Sequence, residues 1–416
     1  MVGTAHAAPR LDLAERRFVL LFLPVAIGFG GRMALIAFNG PLAQRFTDNG
    51  YLIGLLLATG PLVSALVNPA VGRLSDRTWT RFGRRMPYAL VGVPLSTLVL
   101  FAIPSSPGYA ALLGLFLLRA VSISVGGVPL MSIIPDRITS AARGRAMSLF
   151  LLAGGVGAIA IQAAGKLYWE RDFALVFYLT GALALVFAVP PLFFIREPRP
   201  SPEDLRTARG ASRLGPRAML AAVVRADPMA LFLVSATLRY LGAGIIVTYL
   251  TLFAVTDLDV AVGDAALAMA VAGGVRLALA LPAGRLADTQ GRKGLVLGAT
   301  IASAVLYLLT ALAVRDLAGL YAVLLVAAVI GTIEMTASGP LFMDLLPAHR
   351  RGELTGVNMV LGNVCRGVGA LLGGAAFAWT GGYRASYATA ALCFAVSALI
   401  LARLRVAPPP RTDAIP

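Results

Sequence analysis

Twelve separate runs of apolar residues, each about 20 long, punctuate this chain. They centre roughly on residues 30, 62, 96, 122, 156, 184, 242, 273, 303, 332, 366 and 394. A helix needs about 20 apolar residues to cross the hydrocarbon core of a bilayer. The excess is global: the 416 residues are 58% hydrophobic and 13% charged, with a mean hydropathy of +0.81. A water-soluble domain cannot hide that much apolar surface. Transmembrane β-strands would show alternation over segments of about ten residues, and the chain shows none. The runs mix Leu, Val and Ala with interspersed Gly, which suits close helix packing in lipid. The expected fold class is an all-α membrane protein with twelve transmembrane helices, here called spans 1 to 12.

The net charge is +16. In a soluble chain that would point to nucleic acid, but the distribution argues against such a partner. With twelve spans and an inside N-terminus, 26 of the 36 Lys and Arg fall on the cytoplasmic side, 5 on the other side and 5 within spans. The positive-inside rule accounts for this asymmetry. It predicts an integral protein of the cell inner (plasma) membrane with both termini cytoplasmic. The first 17 residues carry Asp12, Glu15, Arg16 and Arg17 before the first apolar run, so no cleavable signal peptide is expected. Cys365 and Cys393 both lie in expected spans and read as small buried fillers rather than a disulfide framework.

One long polar stretch interrupts the pattern. Residues 196–228 are rich in Pro, Arg and small polar residues and read as a cytoplasmic linker with one short surface helix. The expected organisation is a six-helix half over 1–195, the linker, a second six-helix half over 229–405 and a tail over 406–416. The halves echo each other. "VGRLSDRTWTRFGRR" after span 2 matches "AGRLADTQGRK" after span 8, with Gly72 and Gly284 offset by 212. "GVPLMSIIP" in span 4 matches "SGPLFMDLLP" in span 10, with Pro129 and Pro340 offset by 211. "ARGRA" before span 5 matches "RRGEL" before span 11, with Arg143 and Arg351 offset by 208. Duplicated halves around a central site are a common transporter design.

At these motifs the chain resembles the major facilitator superfamily over nearly its whole length. The superfamily carries a Gly-x-x-x-Asp-Arg-x-Gly-Arg-Arg-like motif after span 2. The second copy here, Gly284, Asp288, Gly291, Arg292 and Lys293, has the usual spacing. The first copy is longer: Gly72, Asp76 and Arg77, then Gly83, Arg84 and Arg85. That longer form, "SDRTWTRFGRRMPY", is similar to the glycoside–pentoside–hexuronide:cation symporters and the related sucrose transporters. The resemblance implies a cytoplasmic gate made by Asp76, Arg77, Arg84, Asp288 and Arg292. Physical reasoning agrees for the aspartates. Each closes a span and can pair with a nearby Arg or with the positive N-terminal end of a helix, in one conformation and not another. Plain positive-inside anchoring with turn-forming Gly is the simpler alternative.

Charges inside the spans are few. The cations are Arg32, Arg119, Arg239, Arg276 and Arg366, and the single deep carboxylate is Glu334. Asp344 sits near the cytoplasmic end of span 10, and neither His6 nor His349 lies in a span. A charge at a helix centre costs about 2.5–3.5 kcal/mol, so six facing lipid would cost on the order of 15–20 kcal/mol. That exceeds a typical folding stability of about 5–15 kcal/mol. Most must therefore face the bundle interior, a watery cavity or one another. In the superfamily spans 1, 4, 7 and 10 line the central cavity, which implies a lining role for Arg32, Arg119, Arg239 and Glu334.

Arg32 and Arg239 are near-mates under the repeat, offset by 207. Facing each other, they would clamp a carboxylate or phosphate with fixed bidentate donors. Five deep Arg against one Glu make a cavity that attracts anions. Asn39, seven residues from Arg32, shares its helix face and adds a neutral hydrogen-bonding group. Gln162, Asn358 and Asn363 are further candidates for solute hydroxyls. Arg119, Arg276 and Arg366 are candidates for solute contact, or for structural ties to backbone carbonyls or to Glu334.

Proton coupling needs a group that loses and regains a proton, and Glu334 is the deep candidate. Burial favours its neutral form and a neighbouring Arg its charged form. At 4 Å and an effective dielectric of about 20, such a pair is worth roughly 4 kcal/mol before desolvation. A permanent structural pair is the alternative. The symporter branch carries aspartates in spans 2 and 4, and the sucrose transporters one in span 4. Here Asn68 stands in span 2, and no carboxylate lies between Tyr109 and Pro135. That argues against a sodium site of that kind. The span-5 stretch "LLAGGVGAIAIQAAG" lacks the proline of the superfamily's antiporter motif, which argues against a drug exporter.

The expected function is secondary active transport of a small, anionic organic solute by alternating access, with the proton as candidate coupling ion and a monomer in the bilayer as the working unit. A proton-coupled sugar or glycoside carrier is one alternative. A non-transporting assembly or lipid-handling protein on the same fold is another. Without a metal-ligand cluster, Walker loop or nucleophile–base arrangement, neither an enzyme nor a metal or other cofactor is expected. "GGVGAIAIQ" lies inside a span with no preceding strand, so it does not read as a dinucleotide site.

Overall fold

The computed structural model describes residues 12–197, 227–346 and 351–404. Most of the 196–228 linker, including the surface helix expected in it, and the 406–416 tail lie outside the described residues. Among the described residues, twelve helices are long and apolar enough to cross a membrane, at the twelve places expected. Spans 1 to 6 are Leu13–Gln44, Gly50–Arg77, Met86–Ser105, Tyr109–Arg137, Ala142–Tyr168 and Phe173–Leu192. Spans 7 to 12 are Pro228–Leu258, Val262–Ala280, Arg292–Ala313, Leu317–Leu345, Leu354–Thr380 and Arg384–Arg403.

Short polar residues start spans 1, 2, 6 and 10 by accepting their first free N–H groups. Asp12 and Glu15 form a reciprocal capping box at span 1. Asn49 accepts from Tyr51 N–H at 2.9 Å at span 2. Asp172 does the same for Ala174 at span 6, and Asp316 for Gly319 at span 10. Span 1 is one crossing but two helices, Leu13–Ala34 and Ile36–Gln44, joined at Leu35. The seven-residue step from Arg32 to Asn39 runs through this joint. The constant phase that would put both on one face is therefore interrupted.

The repeat seen in the sequence is a repeat of packing. In the first half span 1 packs on 5 and 6, span 3 on 4 and 6, span 2 on 4, and span 5 on 6. Adding six to each number gives the principal pairs of the second half. The halves meet along two seams, span 2 against span 11 and span 5 against span 8. The same operation interchanges these seams, so the molecule has an internal pseudo-two-fold relation.

Both seams are tight at one end and open at the other. At the end where spans 2 and 8 begin, a Cβ on Gly50 would strike the Gly374 carbonyl, and one on Gly374 the Gly50 carbonyl. On the other seam, a Cβ on Gly263 would lie 2.8 Å from Lys166 Cα. Lys166 Nζ reaches Asp264 Oδ1 at 2.5 Å, and Gln44 donates to Thr256 at 3.3 Å, both across the halves. Midway, side chains keep contact: Leu62 fills the space at Gly367, and Leu277 that at Gly155. At the far end, where spans 1 and 7 begin, Gly72 and Gly356 on one seam and Gly144 and Gly284 on the other have open space where a Cβ would point. This open end also carries the basic loop motifs; it is called the basic end below.

Candidate functional site

A cavity of about 360 Å³ lies in the second half among spans 7, 10, 11 and 12, within the usual range of about 300–1,000 Å³ for small-molecule sites. Its polar lining is Arg239, Tyr240, Glu334, Ser338, Asn358 and Arg366; Phe232, Phe342, Phe394 and Met335 supply apolar wall. Span 7 delivers Phe232, Arg239 and Tyr240, and span 10 delivers Glu334, Ser338 and Phe342. Phe232 and Arg239 are about two helical turns apart with Tyr240 next to Arg239, and Glu334, Ser338 and Phe342 follow one another at about one turn each. Phe232 and Phe342 stack at 5.7 Å between ring centres on the side nearer the basic end.

The question of which arginine meets the deep glutamate has a direct answer. Arg239 Nη1 donates to Glu334 Oε1 at 3.0 Å. The Arg239 side chain is 4% exposed and that of Glu334 22%. The guanidinium is thus held in the wall while the carboxylate faces the cavity. Arg239 also lies 5.5 Å over the Phe232 ring, and its Nε is buried without a partner. Arg366 lies 4.9 Å over the Tyr240 ring, whose hydroxyl donates to Asn358 Oδ1 at 3.3 Å. Two guanidiniums against one carboxylate leave this cavity net positive.

The first half holds a second group of cations. Arg32 is 4% exposed and donates from Nη1 to Ser96 Oγ at 2.8 Å. Arg119, 9% exposed, donates from Nη2 to the Arg32 carbonyl at 3.3 Å. Neither has an ion-pair partner among the described residues, and both Nε atoms are buried and unbonded. Buried donors left unpaired cost about 1–3 kcal/mol each, more when charged. The hydrogen-bond partners of these two neighbouring guanidiniums are thus one hydroxyl and one carbonyl, neither of which carries a charge.

Arg32 and Arg239, the two arginines expected to clamp a solute, are each engaged inside their own half in the described state, Arg32 by Ser96 and Arg239 by Glu334. Asn39 does not join Arg32 in a hydrogen bond; its Oδ1 is buried and unbonded, beyond the joint at Leu35. Arg276 is outside the cavity wall but within electrostatic reach of Tyr307, as is Glu334. Gln162 is buried and Asn363 half-buried, both away from that wall, whereas Asn358 is part of it.

The basic end is organised by ion pairs within each half. Arg84 Nη2 meets Asp136 Oδ2 at 2.9 Å, and Arg85 meets Asp136 at 2.5 Å and Asp76 at 3.5 Å. In the second half Arg292 meets Asp344 at 2.6 Å. Arg84 to Arg292 and Asp136 to Asp344 share one offset, 208. Asp136 is therefore a member of this network that motif reading missed, although the constant offset marks it. Arg77 is exposed, and the Asp288 side chain lies outside what is described. The extra residues of the first loop form a tight turn in which Thr80 and Gly83 exchange backbone hydrogen bonds, with Gly83 at φ +108°. Glu197 rests against that glycine and accepts from the N–H groups of Arg84, Arg85 and Met86 at 3.0, 2.8 and 2.5 Å. The start of span 3 is thereby capped by a carboxylate from the segment that follows span 6.

Solved structures with this arrangement are all transporters in the three cases compared. The crystal structure of the nucleoside transporter NupG superposes with a TM-score of 0.72 at 15% identity, covering 94% of this chain and 99% of that one. A bacterial homolog of the human lysosomal transporter Spinster, inward-facing and occupied, gives 0.70 at 17%, covering 94% and 97%. The human organic anion transporter MFSD10 (TETRAN) gives 0.63 at 17%, covering 94% and 100%. These likenesses establish the fold. The Major Facilitator Superfamily model matches residues 20–275 and 232–416; with twelve spans, two pseudo-symmetric halves and ion pairs repeated at one offset, this chain belongs to the Major Facilitator Superfamily.

Proposed function

We propose that this transporter moves a small organic anion, and that Glu334 couples its movement to protons. The observation that carries the reading is the deep excess of guanidinium: Arg32 and Arg119 have no ion-pair partner among the described residues, and Arg239, paired with Glu334, lines one cavity with Arg366. The two halves, 1–195 and 229–405, rock about their seams on the 196–228 linker. With the basic end cytoplasmic, the described state opens to the cytoplasm. An anion entering there competes with Glu334 for Arg239. A carboxylate displaced from its guanidinium inside a low-dielectric cavity takes up a proton. The anion and the proton enter together, so the charge of the cavity is unchanged on loading; the halves then close over it, bringing Arg32 and Arg119 toward the anion, while Asp136 and Asp344 hold the basic loops of each half.

A proton-coupled sugar or glycoside carrier is the second reading. It is favoured by the long first loop with its Thr80–Gly83 turn and by the neutral hydrogen-bonding pair Tyr240 and Asn358. Uptake into proteoliposomes against a panel of organic anions and sugars, with and without a pH gradient, separates the two. Anion flux that collapses in Arg239→Gln supports the first; sugar flux indifferent to Arg32→Gln and Arg239→Gln sinks it. Absence of flux with every solute would favour a non-transporting role.

A further inference from the structure

A second cavity, about 450 Å³, lies away from the first, at the basic end of the first half. The start of span 1, the last turn of span 4 and the residues just after span 6 enclose it. Arg17, Arg137 and Arg196 line it together with Leu13, Leu21 and Phe194. Three guanidiniums thus converge where three helix ends meet the membrane surface.

Among the described residues no carboxylate pairs with these charges, and Glu15, Asp136 and Glu197 are engaged by other partners. Glu15 accepts from the N–H groups of Asp12 and Thr139 at 3.0 and 2.8 Å. Asp136 holds Arg84 and Arg85, and Glu197 caps span 3. Arg17, Arg137 and Arg196 have no ion pair among the described residues. The Arg137 Nε is buried without a partner, and its guanidinium lies 6.0 Å over the Phe18 ring. The rim is apolar and uncovered: Leu13 is 77% exposed and Phe194 68%.

We propose that this pocket binds an anionic phospholipid from the leaflet at the basic end. Its phosphate sits among Arg17, Arg137 and Arg196, and its acyl chains lie along Leu13, Leu21 and Phe194. Arginine pairs with phosphate through its fork of donors, and basic pockets between span ends suit anionic headgroups. The exposed apolar rim requires a ligand with a tail, which inorganic phosphate lacks. The neighbouring segment of the chain is a poor occupant: residues 198–226 carry six Arg against one Asp and one Glu, so they repel the pocket.

The test uses the full chain purified in neutral detergent and titrated with phosphatidylglycerol, with bound lipid counted by native mass spectrometry. Phosphatidylcholine and inorganic phosphate are the comparison arms. One phosphatidylglycerol per protein is expected, with phosphatidylcholine far weaker and millimolar phosphate unable to displace it. Each arginine is worth about fivefold in affinity, so Arg17→Gln, Arg137→Gln and Arg196→Gln together lower it about 100-fold. The triple Arg→Lys variant, which keeps the charge, retains most of the binding. Arg196 lies outside every helix, so Arg196→Gln tests the site without endangering the fold and should weaken binding about fivefold on the same basis. Unchanged affinity in Arg196→Gln, equal retention of phosphatidylcholine, or displacement by free phosphate overturns the proposal.

Discussion

Arg239 and Glu334 are joined at 3.0 Å across spans 7 and 10 of the same half, the guanidinium sunk in the wall and the carboxylate turned to the cavity. The pair is asymmetric in what its loss entails. Glu334→Gln leaves a buried cation with a neutral acceptor, whereas Arg239→Gln leaves a carboxylate that water reaches. Glu334→Gln is expected to abolish accumulation driven by a pH gradient while leaving solute exchange within about threefold, a shift under 1 kcal/mol. Arg239→Gln is expected to lower both. Proteoliposome counterflow and gradient-driven uptake measure the two separately, and retained accumulation in Glu334→Gln removes this residue from coupling.

Arg32 and Arg119 should trade stability against binding. Two like charges buried without a counter-ion strain the unliganded protein. Arg119→Gln is therefore expected to leave thermal stability unchanged or raised, while weakening anion binding about tenfold or more, near 1.4 kcal/mol. Thermal unfolding with and without solute checks both signs; a strongly destabilised variant would assign Arg119 to structure.

Lys166 and Asp264 cross the seam at 2.5 Å but are partly exposed, and pairs of this kind contribute about 0–1 kcal/mol. Lys166→Gln alone is expected to change transport less than about fivefold on that scale. A disulfide between Lys166→Cys and Asp264→Cys is expected to block transport and to release it on reduction. Continued transport while cross-linked would show that this end does not open.

Gly50 and Gly374 leave no room for a methyl group in the described state. Gly374→Ala is expected to destabilise this state by about 1–3 kcal/mol and to favour the state open at this end. Accessibility of a cysteine probe placed beside the seam reads that shift as an increased labelling rate.

Glu197 accepts three N–H groups at the start of span 3. Glu197→Ala removes an anion from a helix N-terminus and is expected to cost about 1–2 kcal/mol, read as a lower unfolding midpoint.

Much of the architecture was legible because a bilayer imposes a length on every span, and twelve runs of that length stand out in any reading. The duplicated halves were legible from three motif pairs. The deep charges were legible as a set, because each is costly, but their pairing was not. Which arginine meets Glu334 depends on the rotation of spans 7 and 10 about their own axes, and the low amphipathicity of helices with apolar residues on every side conceals that rotation. Asp136 was legible through its 208-residue offset from Asp344, yet it sat outside the motif that drew attention. Glu197 looked like part of the linker that begins at Arg196; its role as a cap depends on the turn that Gly83 makes possible. The joint at Leu35 left no mark at all in residue type.

The glycine seams bear on how abruptly the protein changes state. At their tight end, main chain rests on main chain at Gly50–Gly374 and Gly263–Lys166, with the long Lys166 and Gln44 side chains reaching across only beside those contacts. Such a contact has no compliant intermediate: a small separation admits water to bare peptide groups and forfeits the whole contact. The tight end should therefore behave as a latch that is either shut or fully parted, giving short-lived transitions and long dwell times in each alignment of the halves.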